Sequence, residues 1–249
     1  MILILTYHKV LRRAEDKAEF YTISAEDLLR QMDLLAASGY QPLQPEELAT
    51  YQSGSKPGYL LTFDDGTLDH YEVVLPLLAR YKTRGIFFVP TAKLDRNGYL
   101  SSAAAQEMSR AGQTIGLHSH EHRRLDTLGE EDIRVQMELS QEILGKIIGE
   151  KPVFFAPPGG YINQRLREVA LERGVKVIRT MHWGYNKKTD LAALDCVPIN
   201  RFMSLAQFQQ VLHFRRMAIT YTLKQFTKRL IPAPTYEALR DLLFGKIRR

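Results

Sequence analysis

Short apolar, β-prone runs alternate with amphipathic helical stretches through most of this chain, and its reactive residues sit just after the runs. Ile2–Tyr7, 59–63, Gly85–Val89, Thr114–Leu117, 153–155 and 175–178 read as strands. Between them, 71–81, 101–110, Glu130–Ile148 and 164–173 carry apolar residues at helical spacing. Ser24-Ala25-Glu26-Asp27 resembles a capping box ahead of Leu28, Met32 and Leu35, and Ser204 caps a last helix running to about His213. Such alternation implies a parallel sheet, open or closed into a barrel. In both, the C-terminal ends of the strands open on one face, where sites are built. Asp64-Asp65, His118 and Pro157-Pro158 each follow a strand and so belong to that face.

A chain of 249 residues fits one α/β barrel or two small domains. Its single cysteine, Cys196, excludes an intramolecular disulfide and suits a reducing compartment. The first ten residues lack a cationic region and a long apolar run, so no signal peptide is expected. Nor is there a stretch of ~20 apolar residues to span a membrane. The expected address is cytoplasmic. Charge is uneven: residues 213–249 hold nine Lys/Arg and two acids, a net +7 against +6 for the whole chain. With a body that is not basic, nucleic-acid binding is not expected.

Thr62-Phe63-Asp64-Asp65-Gly66 places two carboxylates side by side where a strand ends. Adjacent side chains diverge there, so one acid can ligate a cation while the other stays free as a base; an acidic turn with Gly66 at positive φ is the plainer reading. His118-Ser119-His120-Glu121-His122 puts three of the seven histidines within five residues. Imidazole suits zinc and its neighbours, and two His with one carboxylate leave positions open for water and substrate. The same segment also reads as His-x-x-Glu-His, an inverted zincin motif, which requires a helix.

Together these residues resemble the polysaccharide deacetylase family, carbohydrate esterase family 4. Its Thr-Phe-Asp-Asp-Gly motif stands at 62–66 and its His-Ser/Thr-x-x-His motif at 118–122, within a likeness covering roughly residues 1–210. The resemblance implies a distorted (β/α)7-type barrel over 1–212. It implies a divalent metal held by Asp65, His118 and His122, zinc first, with cobalt, nickel or manganese as alternatives. Asp64 would be the general base, and Ser119 would orient a ligand.

The third motif departs from the family's Phe-Arg-Pro-Pro-Tyr-Gly: this chain reads Phe155-Ala156-Pro157-Pro158-Gly159-Gly160. With Ala156 in place of the Arg, tuning of Asp64 must come from elsewhere. With Gly159 in place of the Tyr, the groove should widen, while the Gly159 N–H still serves as an oxyanion donor beside Pro158. The Leu-x-His motif near the C-terminus is missing. Ile4-Leu5-Thr6-Tyr7-His8 instead resembles a circularly permuted subset that opens with a strand ending in Tyr-His. His8 is then the expected general acid and His182 the reserve. Trp183 is expected near substrate as a stacking surface for a sugar, or packed in the core.

The reaction so implied is N-deacetylation of an acylated sugar. Alternatives are deformylation of a lipid-linked amino sugar and a catalytically inactive carbohydrate-binding barrel. Residues 213–249 read as a basic amphipathic helical extension, with Ile219, Leu223, Phe226 and Leu230 along one face. It either packs on the barrel or makes a peripheral contact with an anionic membrane, the latter fitting a lipid-linked substrate.

Overall fold

The computed structural model describes residues 1–13, 15, 18–51, 56–187 and 190–213. The basic helices expected over 214–249 lie outside the described residues. In chain order the strands are β1 (Ile2–Tyr7), β2 (Val10–Leu11), β3 (Ile23–Ser24), β4 (Gln41–Pro42), β5 (Gly58–Phe63), β6 (Gly85–Val89), β7 (Thr114–Leu117), β8 (Phe154–Phe155), β9 (Val177–Trp183) and β10 (Leu194–Pro198). The helices are α1 (Ala25–Ala37), α2 (Leu75–Arg80), α3 (Ser102–Arg110), α4 (Glu130–Ile148), α5 (Gln164–Glu172) and α6 (Leu205–Leu212).

Seven parallel strands close into a barrel in the order β1-β10-β9-β8-β7-β6-β5, and β1 returns to β5 from Ile2↔Gly58 through Tyr7↔Phe63. The first strand thus lies between the last strand and the one bearing Asp64-Asp65. The barrel is distorted: β8 contributes two residues, and the β9–β10 register slips between Leu194 and Cys196. Two-residue β4 pairs with Gly58 and Tyr59, ahead of the 61–63 segment that pairs with β6. β2 and β3 form a separate two-stranded pair.

Strand alternation sorts the apolar side chains into two cores. Ile2, Ile4, Leu60, Ile86, Phe88, Val177, Leu194 and Cys196 fill the barrel. Leu3, Leu5, Tyr7, Leu61, Phe63 and Phe87 face outward, onto helix residues such as Leu28, Leu78, Met137 and Phe208. Gly116 keeps the interior layer flush, because a Cβ there would lie 2.7 Å from the Phe88 ring. Carried past the strand ends, the same parity points His8, Asp64 and His118 into the mouth of the barrel. Every second residue behind them (Ile4 and Thr6, Leu60 and Thr62, Gly116) already faces in.

Three elements differ from the sequence reading. The 71–81 helix is divided: His70–Val74 forms a π-helical turn and α2 begins at Leu75. Pro76 has no N–H to return to the preceding turn, so a regular ladder cannot run through it. β9 runs on to Trp183, which puts His182 and Trp183 inside a strand rather than after one. β10, with Asp195 amid its apolar residues, was not read as a strand; it completes the ring. The expected caps form: Ser24 and Asp27 make the box at α1, and the Ser204 side chain accepts from the Gln207 N–H at α6.

Candidate active site

At the mouth of the barrel, the ligand atoms of Asp65, His118 and His122 lie within 4.8 Å of one another. Asp65 leaves β5 with φ +78°, which swings its carboxylate away from Asp64 and toward the loop after β7. Its Oδ1 is 2.9 Å from His122 Nε2 and 3.4 Å from His118 Nε2. The loop 118–122 holds Ser119 and His122 at φ +61° and +63°, so it is not helical, and the inverted-zincin reading lacks its helix. The buried Ser119 hydroxyl accepts the His122 N–H at 2.9 Å, closing the loop on itself. His120 departs from the cluster, its Nδ1 paired with Thr91 Oγ1 at 2.8 Å. Glu121 is held by Gln136.

The donor set suits a divalent first-row cation. His118 donates its Nδ1–H to the Ala156 carbonyl at 2.6 Å, which leaves Nε2 as the ring nitrogen facing Asp65. Position 156 therefore serves the site through main chain. Burial opposes ionisation of Asp65, but hydrogen bonds from His118 and His122 hold its carboxyl well below the usual range. Burial lowers the His122 pKa, against the pull of Asp65. A carboxylate with two imidazole nitrogens turned toward it is a donor set a metal can take up in exchange for protons.

Asp64 is buried, and its N–H donates to the Tyr7 carbonyl at 2.9 Å. Nη2 of the buried Arg179, on β9, donates to both oxygens of the Asp64 carboxylate. Burial would raise the Asp64 pKa; Arg179, with His118 and His8 behind it, outweighs that and holds it below the ordinary value. Sequence reasoning left the source of this tuning open. A visible signal was one arginine at an inward-facing position in the otherwise apolar start of β9. The guanidinium also lies 5.1 Å from the Phe88 ring centroid.

His8 Nε2 lies 3.9 Å from Asp64 Oδ2. Its ring stacks on Tyr21 at 4.6 Å between centroids, a neighbour the sequence did not reveal. Burial lowers the His8 pKa, although Asp64 and Asp65 pull it up. The structure thus brings His8, Asp64 and the Asp65–His118–His122 cluster together.

The third-motif loop lies beyond β8 as a tight turn, with Pro158 buried and Gly159 exposed at φ +71°. A side chain at 159 would start 3.1 Å from the Tyr161 ring, so Tyr161 stands beside the position of the missing Tyr. Gly160 has no room for a Cβ, which would fall 2.2 Å from that of Met181. The structure does not gather His182 with this group: it is exposed on β9. Trp183 packs edge-to-face on Tyr185 at 5.6 Å, and the Tyr185 hydroxyl donates to the Val211 carbonyl of α6.

A closed barrel of seven parallel strands with a His/Asp cluster at the C-terminal mouth of those strands is the (β/α)7 architecture of the carbohydrate deacetylases. The chain belongs to the polysaccharide deacetylase family, whose pattern matches residues 52–178. It is 23% identical over 210 residues to Bacillus subtilis YxkH, covering 82% of this chain and 74% of that one. It is 29% identical over 147 residues to a peptidoglycan-N-acetylglucosamine deacetylase of Bacillus cereus, covering 58% of this chain. The chain spans 65% of the length of that relative, slightly under two thirds. The Streptococcus pyogenes deacetylase PplD, solved in complex with acetate, shares the fold with a TM-score of 0.77 at 24% identity, covering 85% of this chain and 97% of that one.

Proposed function

We propose that the protein removes the N-acetyl group from an acetylated sugar in a glycan or lipid-linked glycan precursor, using a divalent metal held by Asp65, His118 and His122. The observation that carries this reading is the convergence of those three ligand atoms beside the buried Asp64–Arg179 pair. Bound by these residues, a divalent metal, zinc first, would supply Lewis-acid polarisation of the acyl carbonyl and would acidify water.

The remaining steps belong to the chain. Asp64, kept ionised by Arg179, takes the proton of the attacking water. The Gly159 N–H, on an exposed turn at the strand ends, donates to the developing oxyanion. His8 protonates the departing amine; burial disfavours its charged form, which makes the imidazolium a ready donor. Retention of Asp64 with its Arg partner favours catalysis over a pure binding role, since a binding module has no use for an ionised buried base. The net +7 of residues 213–249 supports contact with an anionic, lipid-linked substrate at the cytoplasmic face of a membrane.

The test is acetate and formate release, followed by mass spectrometry, from N-acetylglucosamine oligomers, acetylated sugar nucleotides and polyprenyl-phosphate-linked sugars. Asp64→Asn should keep the metal, by elemental analysis, and lose turnover. Near-full activity in that variant would overturn the assignment.

A further inference from the structure

A histidine that transfers protons is ordinarily aimed by a hydrogen bond at its second ring nitrogen. His8 has none: its Nδ1 is buried and finds no partner among the described residues. Its aim must come from its own backbone, and that backbone is held with unusual completeness. The Tyr7 carbonyl accepts from the Asp64 N–H at 2.9 Å, and the Lys9 carbonyl accepts from the Ile23 N–H at 3.0 Å. The His8 carbonyl accepts from His70 Nε2–H at 2.7 Å, and the Val10 N–H donates to Asp69 Oδ2 at 2.7 Å.

Two of these four bonds come from consecutive side chains just beyond the Asp64-Asp65-Gly66 turn. His70 is fully buried, between the rings of Phe63 (5.7 Å) and Phe87 (5.6 Å). Its Nδ1 has no partner among the described residues, so the one hydrogen bond of its ring goes to the His8 carbonyl. His70 opens the π-helical turn His70–Val74, and Asp69 precedes it. A π-turn is a rare local geometry that recurs at functional sites. Here it presents two neighbouring side chains to the two ends of one short turn. The ring of His8 is then confined from the far side by Tyr21.

We infer that Asp69 and His70 are positioning residues that clamp the turn 8–10 and so hold the His8 ring 3.9 Å from Asp64. The inference rests on the assignment of His8 as the acid under the proposed function. In most proton-transfer histidines the orienting group touches the ring; in this chain it grips the main chain that carries the ring.

The test uses the zinc-loaded full chain, the N-acetylglucosamine tetramer, and 4-nitrophenyl acetate, whose leaving group needs no acid. Gln places an amide N–H near the position of His Nε2, whereas Leu fills the slot without a donor. For His70→Leu, kcat on the tetramer should fall about a hundredfold at unchanged KM, with ester hydrolysis within roughly twofold of wild type. His70→Gln should restore most of the loss, and Asp69→Ala should resemble His70→Leu. Wild-type tetramer turnover in His70→Leu, or equal loss on both probes, overturns the clamp. His8→Gln, run in parallel, separates the two levels: if it stays fully active, the acid assignment fails and the clamp with it. Crystals of His70→Leu give a reading free of substrate choice. The His8–Asp64 separation should lengthen from 3.9 Å, and an unchanged separation counts against the clamp.

Discussion

Arg179 and Asp64, 115 residues apart in sequence, meet inside the barrel through one guanidinium nitrogen that donates to both carboxylate oxygens. Both are buried, Arg179 on β9 and Asp64 just past the end of β5, so each is the other's main electrostatic support. Removing one partner of such a pair costs more than removing both, because a buried charge is left alone. Arg179→Leu should lower stability by about 3–5 kcal/mol in denaturant unfolding. It should also raise the Asp64 pKa and suppress turnover. The double variant Asp64→Asn/Arg179→Leu should unfold at higher denaturant than the sum of the two singles implies; strict additivity would show that the pair is not coupled.

Metal should stabilise the fold in proportion to its binding, because the three ligands are spread over two strand ends. At a hundredfold excess over Kd the gain is about 2.7 kcal/mol, a rise of roughly 5–10 °C in melting temperature for a domain of this size. Zinc or cobalt added to chelator-treated protein should give that shift in calorimetry. His122→Ala should abolish it. An equal shift in the variant would remove His122 from the ligand set.

Gly160 should tolerate no side chain. A Cβ there meets Met181 Cβ at 2.2 Å and the Met181 backbone nitrogen at 2.4 Å, at a φ of +74°. Overpacking and left-handed strain together make Gly160→Ala destabilising by roughly 2–5 kcal/mol. Met181→Ala should not rescue it, since the clashing Cβ and nitrogen remain. Rescue would mean that the loop moves instead.

The pH dependence of stability should carry a signature of His8. Burial depresses its pKa in the folded state below 6.5. The unfolded chain therefore binds more protons in that window, and stability falls as pH drops through 6.5 toward the folded value. Above 6.5 the contribution is complete. His8→Gln should flatten the unfolding free energy measured between pH 5 and 7.5. A curve that keeps its slope would place the titrating group elsewhere.

Periodicity made most of the barrel legible, because strand parity and helical spacing are local properties. Gly85–Val89, Thr114–Leu117 and Glu130–Ile148 fall where their patterns put them. β10 escaped because Asp195 and Pro198 dilute a five-residue run, and its pairing comes from strands far away in the chain. In the site, motif spacing pointed to the residues gathered from two turns, Asp64, Asp65, His118 and His122. Arg179, Tyr21 and His70 were not read, since each acts through a contact that only closure of the barrel creates. The role of Ala156 was invisible for another reason: a carbonyl is present at every residue.

The placement of β1 between β10 and β5 separates two kinds of integrity in this molecule. The Asp65–His118–His122 cluster depends on β5, β6 and β7, which are successive neighbours in the sheet. His8 reaches Asp64 across the pairing of β1 with β5, so it depends on the first strand keeping its place in the ring. Under the proposed function, a lapse of β1 from β5 would leave the Asp65–His118–His122 cluster in place while withdrawing the acid. Metal content would then report on the arc from β5 to β7, and turnover on that arc together with β1.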